Sequence, residues 1–168
     1  LYALAKSKRT LELLKDGKVV KVIDDSSDFP DTLTTKDIFL RNIHFDGNGF
    51  IHSKKIIDEG YRFDENFWNL EEWDFIMQFA EKYPNRFLYI PVILLNYHQR
   101  FGGDGLVSNT TYPQYAKAFD AIYQKHKDAK MLQGQTWHPN RVEKYKRLER
   151  ERLQGTAPEP HLRYFTSE

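Results

Sequence analysis

The sequence predicts an α/β fold, a mixed sheet with flanking helices and a C-terminal helical extension, on three observations. Two apolar segments between Leu11 and Ile23 flank Asp16-Gly17, a dipeptide suited to a tight hairpin turn. A second apolar run, Phe87 to Tyr97, has strand character and contains Pro91, which places it at an edge or a break. Apolar residues at helical spacing recur from Asn69 to Tyr83 and from Pro113 to Lys127.

Composition narrows the class. A chain of 168 residues, 40% hydrophobic and 15% aromatic, has the material for one buried core. The formal net charge of +1, with the two signs interleaved, gives no electrostatic basis for binding nucleic acid or an anionic membrane. Without cysteine there is no disulfide framework and no thiolate ligand or nucleophile, which suits a cytoplasmic setting. The run from Phe87 to Tyr97 is too short to span a bilayer, so no transmembrane segment is expected.

The elements follow in order. A helix over the first dozen residues (Leu1, Leu4, Leu11, Leu14) competes with the hairpin. Asp24-Asp25-Ser26-Ser27-Asp28 offers hard oxygen ligands, but with nothing nearby to complete a set we read it as a polar loop ahead of Pro30. Thr34 or Thr35 caps a short helix, to about Asn42, that turns Ile38, Phe39 and Ile43 inward. Asp46 to Gly49 forms a turn before a short strand, Phe50-Ile51-His52. Ser53 to Gly60 has a Ser cap and a terminal Gly, which makes a compact helix. Tyr61 to Trp68 is a loop dense in aromatic rings. Phe87 to Tyr97 then gives one or two buried strands, and the glycines from Gly102 to Gly105 a mobile loop. Arg141 to Leu153 alternates acid and base as a solvated peripheral helix, followed by a tail with Pro158 and Pro160. The domain reading is 1–130 for the folded unit and 131–168 for the charged helix and tail.

Chemistry concentrates at Asn69-Leu70-Glu71-Glu72-Trp73-Asp74. Helical spacing separates its three acids. Glu72 shares a face with Ile76, Phe79 and Tyr83 and should point to the core. Glu71 shares a mixed flank with Phe75, Gln78 and Lys82, and Asp74, in line with Gln78 and Glu81, should see water. A capping box between Asn69 and Glu72 explains the same residues structurally, and from local spacing alone it leads.

The order of motifs shifts that balance. Asn42-Ile43, Gly49 to Lys54, Gly60-Tyr61-Arg62-Phe63-Asp64-Glu65, Glu71 to Phe75 and Tyr97-His98-Gln99-Arg100 follow one another. This series resembles the acceptor-side, C-terminal half of a family 2 glycosyltransferase, over about residues 33 to 127. The resemblance implies a partial GT-A-like (Rossmann-like) fold and an inverting transfer of sugar from a nucleotide-sugar donor to a glycan or other hydroxyl acceptor. It implies Glu72 as the catalytic base, with Glu71, Trp73, Asp74 and Asp64 supporting it or lining the acceptor side. Trp73 would either pack or stack on the acceptor. His98 and Arg100 would lie near the donor diphosphate, His98 beside a divalent metal (Mn or Mg) as its tentative ligand, and Gly102 to Gly105 would close over the donor. Two departures stand out: Glu replaces the usual Asp at the base position, and the family's donor-binding half with its D-x-D motif has no room upstream. The chain is therefore expected to be part of a longer protein, inactive by itself, and peripheral to a membrane only through that protein. A non-catalytic glycan- or protein-binding module is the alternative. A glycoside hydrolase fits less well, because Glu71 and Glu72 diverge on a helix and cannot face each other across a bond.

Overall fold

The computed structural model describes residues 2–24, 32–40, 49–103, 109–134, 137–160 and 162. Among these, the chain forms a four-stranded mixed sheet and five α-helices. The strands are β1 (Tyr2–Lys15), β2 (Lys18–Asp24), β3 (Phe50–His52) and β4 (Phe87–Phe101). The helices are α1 (Thr35–Phe39), α2 (Lys54–Asp58), α3 (Glu71–Ala80), α4 (Tyr112–His126) and α5 (Trp137–Leu153).

β1 organises the sheet. Along one edge it pairs in parallel with β4, from Tyr2↔Phe87 to Leu13↔Phe101. Its other edge is shared by two antiparallel partners, β3 at Tyr2–Leu4 and β2 at Thr10–Lys15. An all-parallel, doubly wound sheet is thus not what these strands build. The hairpin reading of the N-terminus holds and the helical one does not. Asp16 (φ 51°) and Gly17 (φ 73°) take the two left-handed positions that a tight two-residue turn needs, and the β2 partner fixes β1 as extended chain.

β4 corrects the expectation of buried strands. It is one strand of 15 residues, and the register steps from Ala5↔Ile90 to Lys6↔Ile93, passing over Pro91 and Val92. Proline has no N–H to give the ladder, so the strand bulges where it stands. Among the described residues β4 pairs only with β1, and no helix covers the outer face there. Leu88 and Ile51, the partners of Ala3 on its two sides, are 60% and 58% exposed.

The core lies on the inner face, between sheet and helices. Tyr2 meets Phe79 edge-on at 5.1 Å and Phe87 at 5.3 Å, while Phe50 stacks on Phe79. α3 is sealed from the other side as well. Trp73 Nε1 donates to the Ile38 carbonyl at 2.9 Å, and its ring meets Phe119 of α4 edge-on. Thr34 and Thr111 both close capping boxes, with Asp37 and Gln114, so the starts of α1 and α4 are satisfied locally. α5 is charged, as its sequence suggests, but it is anchored: Tyr145 stacks on Tyr115 at 5.0 Å and on Phe119 at 5.5 Å. Arg141 reaches the Leu40 carbonyl and lies over the Phe119 ring.

Candidate functional site

The start of α3 differs from the sequence expectation. Its N-cap is Leu70, held in the left-handed region at φ 65°, and no side chain caps it. Asn69 is buried one residue ahead of that cap, with its Nδ2 unpartnered, so it is not the N-cap residue that the sequence predicts. A leucine at positive φ is unfavourable, and the surrounding packing has to hold it there.

The acids are also distributed differently. Asp74, expected in water, is 0% exposed. It accepts hydrogen bonds from His126 Nε2 at 2.7 Å, Lys125 Nζ at 2.9 Å and Gln78 Nε2 at 2.9 Å. The physical reason is that α3 is enclosed on two sides, by the sheet and by α4, whereas helical spacing read alone assumes one buried stripe. Burial pushes the Asp74 carboxyl up, but the bonds from His126, Lys125 and Gln78 outweigh it and leave it below the ordinary aspartate value. Glu72 and Glu71 are partly buried. Residues two apart on a helix point about 200° apart around its axis. With Asp74 facing α4, Glu72 faces the other way, along the stripe of Ile76 and Phe79.

Lys125 joins this buried cluster to the aromatic loop. Its Nζ lies 2.7 Å from Asp64 Oδ2 as well as 2.9 Å from Asp74. Asp64 in turn accepts from the Asn66 backbone N–H and side chain, and the Lys125 and Asn66 bonds hold its carboxyl down at about 2. Burial works against the charge of Lys125, yet its bonds to Asp64 and Asp74 leave it above the ordinary lysine value. Gln78 ties the loop a second time by donating to the Arg62 carbonyl at 2.8 Å. On this side of α3 runs an open groove of about 620 Å³ lined by Met77, Gln78, Glu81, Lys125 and His126, among others, but not by Glu72. On the loop itself Phe63 stacks on Phe75 yet is 51% exposed, and Trp68 is 39% exposed. Trp73, fully inside, fills the packing role of the two open to it.

His98 and Arg100 form a second cluster, on the strands. They occupy alternate positions of β4, one side of the sheet, and both reach Glu12 of β1. His98 Nδ1 lies 2.7 Å from one carboxylate oxygen and Arg100 Nε 3.0 Å from the other. The bond to His98 first, then that to Arg100, holds the Glu12 carboxyl below its ordinary value. In the neutral ring Nδ1–H donates to Glu12, leaving Nε2 as the acceptor nitrogen. Glu12 spends both oxygens on these two partners. Among the described residues no group of three or more His, Cys, Asp or Glu could hold a metal ion, so these residues do not by themselves assemble a metal site. Gly102 has φ 82°, and a Cβ there would stand 2.5 Å from the Leu14 carbonyl oxygen, so it is a close-packing position. Asp104 and Gly105, like Asn42-Ile43, Asp25 to Asp28 and Asp46 to Asn48, lie outside the described residues.

The structure thus brings Asp64 and Asp74 together through α4, and His98 and Arg100 together through β1. Sequence reasoning missed the two connectors, Lys125 and Glu12, and also His126, the further partner of Asp74. A signal existed for two. His126 continues the α4 stripe of Phe119 and Ile122, and Glu12 interrupts the apolar run Leu11 to Leu14. Lys125 carries none, since a lysine in a last helical turn is ordinary. Compared with protein-family models, curated proteins and solved structures, the chain finds no match.

Proposed function

We propose that this chain supplies the acceptor-binding and catalytic-base portion of an inverting, nucleotide-sugar-dependent glycosyltransferase with a GT-A-like fold. The observation that carries the reading is the start of α3. Its first turn is pinned through Asp74 and carries the partly buried Glu72 directly after a loop that exposes Phe63 and Trp68. Aromatic faces of this kind suit the apolar faces of sugar rings. Glu72 takes the proton from the acceptor hydroxyl as its oxygen forms a bond to the anomeric carbon. The bond from that carbon to the leaving phosphate oxygen breaks on the opposite face, and the nucleoside diphosphate departs with the electron pair. Asp64 and Asp74 hold the loop and helix that frame the base. Arg100, aligned by Glu12, would meet phosphate oxygens of the donor with its guanidinium. A divalent metal would supply further charge neutralisation at the diphosphate when bound, and His98 Nε2 is the ring nitrogen facing away from Glu12.

The decisive experiment is Glu72→Gln in the full-length protein. Loss of sugar transfer by about 10²- to 10⁴-fold is expected, and near wild-type transfer removes Glu72 from the base role. The exposed rings of Phe63 and Trp68 also favour the second reading, a non-catalytic glycan-binding module. Calorimetry separates the two: binding of a nucleoside diphosphate that requires Mn²⁺ supports the transferase, and oligosaccharide binding alone supports the module.

A further inference from the structure

We infer that Lys125 is a positioning residue for the base at Glu72, because it locks the 61–70 loop and the first turn of α3 into one unit; this rests on the transferase reading above. Three elements that are distant in sequence meet at its ammonium. Asp64 brings the loop, Asp74 the first turn of α3, and Lys125 itself the last turn of α4. The two ends of the bridge differ in character. At Asp74 the carboxylate is sealed and keeps His126 and Gln78 whatever Lys125 does. At Asp64 the side chain is 25% exposed, and Lys125 is its contact with α4. Lys125 therefore governs the loop more than the helix. A base at a helix start acts at one distance from its acceptor, and the acceptor is received by the loop just before it. Whatever holds the loop against the helix sets that distance, and displacements near 1 Å are enough to cost rate.

Asp64→Asn breaks the bridge at its exposed end while retaining the oxygen that meets Asn66, so folding is preserved. Lys125→Met breaks both ends, and Lys125→Arg keeps the charge. Amide hydrogen exchange in residues 61–70 should rise at least about tenfold in the first two variants. In the full-length protein kcat should fall about 10- to 100-fold with the KM for the sugar donor unchanged, and Lys125→Arg should recover most of both. Unchanged exchange in Asp64→Asn and Lys125→Met overturns the inference, as does faster exchange with unchanged kcat. Should Glu72→Gln retain transfer, the base role fails and the link to it fails too, while the exchange measurement still decides whether Lys125 clamps the loop.

Discussion

Replacing Asp74 by Asn tests the buried cluster most directly. Asn matches Asp in volume, so no cavity opens, and it keeps one acceptor oxygen. What is lost is the negative charge and one acceptor, facing His126 at 2.7 Å and Lys125 at 2.9 Å. Removing one partner of a buried ion pair costs about 3–5 kcal/mol. Because the Lys125 side chain is 32% exposed and can rehydrate, the low end applies, about 3 kcal/mol. With a urea slope of about 2 kcal/mol per molar, the unfolding midpoint should fall by about 1.5 M. The measurement is urea unfolding at pH 7 followed by tryptophan fluorescence, which Trp73 reports from the same helix. A loss below about 1 kcal/mol would mean that the charge is not held by these partners, and would remove the pinned first turn of α3 on which the functional reading leans.

Other outcomes follow from the same structure. Asp64 and Asp74 both lie below their unfolded value of about 3.9, so their contribution is present above that pH and is lost as pH falls through the folded values. For Asp64 the window is pH 4 to about 2, and Asp64→Asn should flatten the stability profile there in acid titrations followed by circular dichroism. Gly102→Ala should destabilise more than Gly17→Ala: both have positive φ, but only at Gly102 does a Cβ collide with a carbonyl, while Gly17 has open space and should cost about 1 kcal/mol. Equal thermal shifts for the two would contradict the close approach of Gly102 to Leu14. Tyr145→Ala removes one ring and its two stacking contacts at a partly buried site, and should cost about 2 kcal/mol and release α5 to exchange.

What was legible in the sequence was local. Asp16-Gly17, Thr34 and the helix starting near Pro113 carry their conformational reasons within a few residues, and the structure shows a hairpin and two capped helices there. Asn69 was misleading because the residue that caps α3 is Leu70, whose left-handed backbone has no sequence signature. The inward turn of Asp74 depends on Lys125 and His126, some fifty residues further along, so helical spacing alone could only count it with Gln78 and Glu81. His98 and Arg100 were legible only through the family resemblance, since the strand expected from the sequence ends at Tyr97. Their common partner was not, since it is set by the β1–β4 register. The exposure of Leu88 is likewise a property of which strands stand beside β4, and composition is blind to it.

The pairing of β1 has a consequence for the order in which the chain folds. Its neighbour across the hairpin is a few residues away, but its long parallel partner begins at Phe87, after three helices and β3 have passed. Pairings across such a separation carry a loop-closure cost before they return any contact energy, and they slow folding. The β1–β2 hairpin is therefore the part of the sheet able to form early on the ribosome, and the sheet is completed only when Phe101 has emerged. Slow acquisition of β4 protection, after the hairpin amides, is the kinetic signature to look for in pulse-labelled exchange.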